Sequence, residues 1–249
     1  MELLRIAMWS GPRNISTALM RAFENRPDCA VVDEPFYGHY LSATGLQHPD
    51  GAAIMASMSC DWDEVARQLR EELPATADAA SCRVFYQKHM TQHILPRRDM
   101  AWTDGLSNCF LIREPRRIIA SYARVRPHFA VEELGFPQQW TLFQRVADRL
   151  GQAPPVIDSA RTLENPERVL RALCGRLGIP FVEQMLHWPA GRRDSDGVWA
   201  PHWYAAVEAS TGFQPVSEVP LAEVPVPAGC EAMCEQAELI YARLLEHAL

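Results

Sequence analysis

Short apolar runs alternate with helical patterns along almost the whole chain. The apolar runs lie at 3–9, 29–33, 82–87, 108–112 and 155–158, and amphipathic segments separate most of them. A short apolar run that ends at a turn signal indicates a buried strand. Strands that alternate with helices form a parallel sheet covered by helices on both faces. We therefore expect an α/β fold, a three-layer sandwich with a central parallel sheet flanked by helices.

The chain carries no internal repeat and no shift in composition that would divide it. We therefore expect a single α/β domain over residues 1–249. Residues 36–60 have no clean period and predict a long loop with one short helix, and long loops in compact domains are often functional. A proline-rich connection at 215–228 is expected to lead into a C-terminal helix at 230–247.

The charge and cysteine content exclude several classes of protein. The chain has 24 Lys and Arg against 31 Asp and Glu, a net charge of −7, whereas a general nucleic-acid binder has a basic surface. Seven scattered cysteines indicate neither a disulfide framework nor a zinc site. Without a signal peptide or 18 consecutive apolar residues, we expect a cytoplasmic protein with no membrane partner. The sequence leaves the oligomeric state open.

The segment 10–17 (SGPRNIST) lies between the first apolar run and the first helical pattern. A strand–turn–helix junction directs backbone N–H groups and the positive end of the helix dipole at one point, which favours an anion. The candidate binding residues there are Pro12, Arg13, Asn14, Ser16 and Thr17. The Gly-Lys-Ser/Thr of ATP-binding phosphate loops is missing. We therefore favour an anion site over an ordinary capped turn.

Two further arginine motifs follow. Arg113 comes directly after the apolar run at 109–112, and Ser121 lies eight residues further on. An arginine at the carboxyl end of a parallel strand lies on the ligand-binding edge of such a sheet. The adjacent Arg192 and Arg193 lie in a loop flanked by glycines and suit a dianion. A solvated surface loop is the commoner explanation for that second motif.

Two side chains are candidates for a general base. His89 follows the apolar run at 82–87, and a histidine at the end of a strand can act as a base, although a structural histidine is commoner. Glu34 follows the run at 29–33, beside Asp33, and paired carboxylates can include one with a raised pKa. The two carboxylates could equally mark a simple strand end.

In this order, the motifs resemble those of the sulfotransferases that use 3′-phosphoadenosine-5′-phosphosulfate (PAPS). Residues 12–17 are similar to the loop that holds the 5′-phosphosulfate in that family. Arg113 and Ser121 have the spacing of the family's pair for the 3′-phosphate, and residues 192–193 resemble the loop that completes that phosphate site. The resemblance covers about four-fifths of the chain. It implies a fold of the P-loop nucleotide-binding type.

The resemblance also implies an activity. It predicts transfer of a sulfuryl group from PAPS, without a metal, to a hydroxyl or amine of a small-molecule or sugar acceptor. Arg13 is implied to neutralise charge on the leaving oxygen. His89 matches the base of cytosolic members and Glu34 that of carbohydrate-type members, so both remain candidates. The alternatives are a P-loop small-molecule kinase and a non-catalytic nucleotide-binding protein.

Overall fold

The computed structural model describes residues 3–215 and 219–249. In these residues, five parallel strands form one sheet in the order β2-β3-β1-β4-β5. The strands are β1 Leu4–Ser10, β2 Cys29–Asp33, β3 Val84–Met90, β4 Ser107–Ile112 and β5 Val156–Asp158. Helices cover both faces of the sheet, which confirms the predicted three-layer α/β sandwich.

The helices of the described residues connect the strands or follow the last of them. They are α1 Ser16–Glu24, α2 Tyr37–Thr44, α3 Gly51–Ser57, α4 Trp62–Glu71, α5 Pro115–Ala123, α6 Phe136–Leu150, α7 Ser159–Glu164, α8 Pro166–Leu177, α9 Ala200–Trp203, α10 Ala205–Glu208 and α11 Glu231–Leu245. The prediction of one short helix within 36–60 was wrong, because α2 and α3 both form there. Of the proline-rich connection at 215–228, residues 216–218 lie outside the described part.

The two faces of the sheet bury different sets of side chains. Alternate residues of a strand point to opposite faces, so Tyr86 packs with α1 and α8 while its neighbour Phe85 packs with α4 and α6. Both sets are buried, as expected for a parallel sheet covered on both sides. Each fully buried large apolar side chain contributes about 1.5–3 kcal/mol to stability. The sheet is therefore a rigid base for the loops at its edge.

All the strands end at the same edge of the sheet, and this edge positions the candidate site. The register pairs Ser10 at the end of β1 with Met90 of β3 and with Leu111 of β4. After β1 the chain crosses to one side of the sheet, and after β3 it crosses to the other. Such a reversal leaves a crevice beyond the carboxyl ends of the strands, where α/β proteins bind their ligands.

The structure gives one finding on membranes. None of the helices within residues 3–215 and 219–249 has the length and apolar character needed to cross a bilayer.

Candidate active site

The loop between β1 and α1 is closely packed and conformationally unusual. Gly11 lies so near the backbone of a 3₁₀ turn that an added Cβ would be 2.8 Å from the carbonyl oxygen of Leu134. Arg13 has a φ of +55°, in the left-handed region that side chains other than glycine rarely adopt. The helix then begins at Ser16. Its first N–H groups have no acceptors within the helix and point toward this loop.

Three residues far apart in sequence meet beside this loop. The Nε of Arg13 donates a hydrogen bond of 2.9 Å to the Oγ of Ser121 on α5. Arg113, which follows the last residue of β4, donates through Nη1 to the backbone oxygen of Arg13. The structure thus brings together Arg13, Arg113 and Ser121.

The two guanidinium groups lack a direct ion-pair partner in the part of the chain that the structure describes. Both are partly buried, and neither forms a salt bridge with an acid among residues 3–215 and 219–249. Burial and the positive charges of Arg117 and Arg13 lower the pKa of Arg113 from 12.5 to about 10, against the smaller opposing effect of Asp158. The group still carries its charge at neutral pH. Unbalanced, partly desolvated cations of this kind favour a polyanionic ligand.

A buried ionic cluster stands at the ends of the neighbouring strands β2 and β3. The Nζ of Lys88, whose side chain is 1% exposed, lies 2.8 Å from Asp33 Oδ1, 2.6 Å from Glu34 Oε1 and 2.7 Å from the Oη of Tyr204. The Tyr204 hydroxyl donates to Asp33 Oδ2 at 2.7 Å and accepts from the indole N–H of Trp199 at 3.1 Å. The ammonium therefore uses all three of its donors.

Glu34 is the part of this cluster that has spare hydrogen-bonding capacity. Its Oε1 accepts from Lys88, whereas its Oε2 has no hydrogen-bond donor among the described residues and lies 4.0 Å from His93 Nε2. Burial, together with the charge of Asp33, raises the pKa of Glu34 against the opposing effect of Lys88. Its φ of +41° again lies in the left-handed region. Unusual backbone geometry of this kind is concentrated at functional sites.

The arginines and Glu34 face one cavity of about 320 Å³. Its walls come from the loop after β1, from the ends of β2, β3 and β4, and from the segment around α9 and α10. The lining residues are Pro12, Arg13, Asn14, Ile15, Ser16, Thr17, Ala18, Glu34, Tyr37, His48, Lys88, Met90, Gln92, His93, Arg113, Tyr122, Leu163, Trp203, Tyr204, Ala206, Val207, Ser210, Gly212 and Gln214. Two arginines, the first turn of α1 and a carboxylate with a free oxygen thus face one space.

His89, the other candidate base, lies away from this cavity. Its ring is 1% exposed and stacks on Trp9, with the ring centroids 4.2 Å apart. Its Nε2 lies 3.1 Å from the Oε1 of Gln87. Burial lowers the pKa of His89 to about 3, so the ring is neutral at pH 7. A base role for His89 has no support from its position.

Arg192 and Arg193 are also absent from the cavity wall that the described residues form. Their loop is anchored to α1 instead, because Asp196 forms a buried ion pair of 2.6 Å with Arg21. Asp196 also accepts a hydrogen bond of 2.8 Å from the backbone N–H of Arg193. Arg192 is exposed. Phosphate binding by these two arginines stays a prediction.

Sequence reasoning missed several residues that line the cavity. Lys88 is adjacent to the histidine that was proposed as a base, and His48 and His93 carry no local motif. Tyr204 lies 116 residues from its partner Lys88. A signal was present for Lys88 alone, since a lysine in a buried strand requires a counter-charge, and Asp33 and Glu34 end the adjacent strand.

Replacing Lys88 with methionine tests the ionic cluster. We expect the free energy of unfolding to fall by about 3–5 kcal/mol, because the substitution leaves two buried carboxylates without their cation. Urea unfolding followed by circular dichroism measures the change. The control is Tyr204→Phe, which keeps all three charges but removes the hydroxyl that donates to Asp33 and accepts from Lys88 and Trp199, and it is expected to cost about 1–3 kcal/mol. Equal stability of Lys88→Met and the wild type would contradict the cluster.

Three comparisons place the chain among known proteins. A family model described as "Sulfotransferase domain" matches residues 4–234. "Branched-chain-amino-acid aminotransferase-like protein 1" of Arabidopsis thaliana is 35% identical over 215 residues, which are 86% of this chain and 37% of that protein. The chain therefore spans little more than a third of that relative's length.

Two solved structures are similar in fold. The "Sulfotransferase Domain from the Synechococcus PCC 7002 Olefin Synthase" has a TM-score of 0.56 and 17% identity, over 97% of this chain and 95% of that one. The "Sulfotransferase Domain from the Curacin Biosynthetic Pathway" has a TM-score of 0.51 and 14% identity, over the whole of both chains. At these identities the similarity concerns the fold alone.

Proposed function

Because the chain belongs to the sulfotransferase domain family, we propose that it transfers a sulfuryl group from PAPS to a hydroxyl or amine of a small-molecule or sugar acceptor. The observation that carries this proposal is that two unbalanced arginines and a carboxylate with a free oxygen line the same cavity. A phosphosulfate nucleotide needs cations, and the acceptor needs a base. The cavity offers both within one space.

The residues of the loop and of α5 fit the anionic groups of the donor. The first turn of α1 offers backbone N–H groups and the hydroxyls of Ser16 and Thr17 to the 5′-phosphosulfate. Arg113 and Ser121 would hold the 3′-phosphate and so fix the position of the nucleotide. PAPS supplies the sulfuryl group and a 5′-phosphate as leaving group. In this proposal the arginines stabilise the negative charge that magnesium stabilises in phosphoryl transfer.

Arg13 and Glu34 would act on the reacting atoms. Arg13 neutralises the negative charge that grows on the bridging oxygen as the sulfur–oxygen bond breaks. Glu34 accepts the proton of the acceptor through Oε2, because Lys88 already occupies Oε1. The raised pKa of Glu34 makes it a stronger base than an exposed glutamate. Of the two candidate bases, we therefore propose Glu34.

Binding of the desulfated product, 3′-phosphoadenosine-5′-phosphate (PAP), tests the donor site. A ligand at a hundred times its Kd stabilises the folded state by about 2.7 kcal/mol, which corresponds to roughly 5–10 °C in Tm for a chain of this size. We expect PAP to produce such a shift in the wild type and none in Arg113→Ala. Differential scanning fluorimetry and calorimetric titration measure both quantities. A shift with ATP and magnesium but none with PAP would favour the small-molecule kinase instead.

A further inference from the structure

His93 lines the same cavity as Glu34, close to the free carboxylate oxygen, and has no role in the transfer proposed above. The residue ends a 3₁₀ turn that begins at Thr91 and is 3% exposed. Its ring stacks on Tyr37, with the centroids 4.9 Å apart, and lies against Tyr40 at 4.8 Å. These contacts fix the plane of the ring, so its two nitrogens have defined surroundings.

The surroundings of the two nitrogens differ. The Nδ1 of His93 is buried and has no hydrogen-bond partner among the described residues, whereas the Nε2 lies 4.0 Å from the carboxylate oxygen Oε2 of Glu34. Burial lowers the pKa of His93 well below 6.5, with smaller effects from the charges of His48 and Lys88. The ring is therefore neutral and carries a single proton. The carboxylate attracts that proton to Nε2, and an orphaned acceptor at Nδ1 is better tolerated than an orphaned N–H.

The distance between these two atoms suits a single bridging atom. At 4.0 Å, Glu34 Oε2 and His93 Nε2 are too far apart to bond directly, but one oxygen can lie about 2.8 Å from both. We propose that Glu34 and His93 together select a hydroxyl, rather than an amine, as the group that receives the sulfuryl. This inference rests on the proposed sulfuryl transfer and deepens it, because it names the acceptor class.

The electron pairs of the acceptor explain the selection. A hydroxyl donates its proton to Glu34, accepts the N–H of His93 with one lone pair and attacks the sulfur with the other. The new sulfur–oxygen bond forms as the bond to the 5′-phosphate breaks; PAP leaves with that electron pair, and the acceptor proton stays on Glu34. A neutral amine has one lone pair, so it cannot both accept from His93 and attack. A protonated amine has none.

Matched acceptor probes test the selection. Benzyl alcohol is compared with benzylamine, and cyclohexanol with cyclohexylamine, using radiolabelled PAPS and the full chain. We expect the alcohols to react at least about tenfold faster, the factor that corresponds to one net hydrogen bond. Equal or faster reaction of the amines overturns the inference but leaves sulfuryl transfer intact. No transfer to any probe, with PAP still bound in the calorimeter, overturns the proposed function and the selection together.

Variants of His93 separate a role in acceptor choice from a merely structural role. His93→Phe keeps the stacking on Tyr37 but removes the N–H, whereas the amide nitrogen of His93→Gln can occupy the place of Nε2. We expect the alcohol-to-amine rate ratio to fall toward one in His93→Phe and to be retained in His93→Gln, with PAP affinity unchanged in both. A ratio that His93→Phe leaves unchanged overturns the assignment.

A spectroscopic measurement decides the position of the proton without any turnover. Nuclear magnetic resonance of the protein with nitrogen-15 in its histidine rings distinguishes the two neutral tautomers from each other and from the imidazolium. We expect His93 to be neutral at pH 7 with its proton on Nε2. Protonation at Nδ1, or at both nitrogens, overturns the inference even if the enzyme is active. Comparison with His93→Gln identifies the resonance.

Discussion

Glu34→Gln is expected to lower kcat by about a hundred- to ten-thousandfold, the usual contribution of a general base. The amide oxygen of glutamine can still accept the hydrogen bond that Lys88 gives to Oε1, so the cluster should keep its fold. The amide cannot take up a proton from the acceptor. Initial rates of sulfuryl transfer measure the loss, and calorimetric titration with PAP is expected to show an unchanged Kd.

His89→Phe is the matched control for this prediction, because the sequence offers both residues as bases. A phenyl ring preserves the stacking of position 89 on Trp9, and the lost hydrogen bond to Gln87 lies outside the cavity. We expect kcat close to that of the wild type. A loss in His89→Phe as large as that in Glu34→Gln would contradict the assignment and move the base to His89.

Arg13→Ala is expected to lower kcat by about a hundred- to a thousandfold. Removing one preorganised donor at a developing anion costs about 3–4 kcal/mol of transition-state stabilisation. The effect should appear in kcat at saturating PAPS more than in the affinity for PAP, since the charge on the bridging oxygen grows only in the transition state. Steady-state kinetics and calorimetry together separate the two.

Two further variants define what Arg13 contributes. Arg13→Lys keeps the positive charge but loses the guanidinium bond to Ser121, so we expect a kcat between those of the wild type and Arg13→Ala. Arg192→Ala removes an exposed arginine of the loop that Asp196 anchors to α1, and we expect kcat to change little. Equal losses in Arg13→Ala and Arg192→Ala would contradict the role of Arg13.

The fold and the proximity of Arg13, Arg113 and Ser121 could be predicted from the sequence because both depend on local patterns. Each apolar run lies within a few residues of its strand, and parallel strands necessarily end at a common edge. Residues that directly follow those strands, such as Arg13, Glu34 and Arg113, had to lie near one another. Ser121 lies near them because it is on α5, the helix that begins two residues after Arg113.

The sequence could not show that Lys88, and not its neighbour His89, would face the cavity. Neighbouring residues of a strand point to opposite faces, and in this sheet both faces are buried, so the polarity pattern of β3 does not reveal which face meets the cavity. Tyr204 is brought to Lys88 by the packing of α9 and α10, across 116 residues. Long-range packing likewise directs Asp196 toward Arg21 of α1, and Arg193 donates to the backbone oxygen of Pro189 in its own loop.

The left-handed backbone at Arg13 and Glu34 affects how each position would respond to selection for thermal stability. Asparagine and glycine accept such a conformation more readily than arginine or glutamate. A library selected only for resistance to heat should therefore drift toward these residues in place of Arg13, whereas the buried ion pair with Lys88 opposes the same change at Glu34. Heat selection alone would then mark Arg13 as a residue that is kept for turnover rather than for stability.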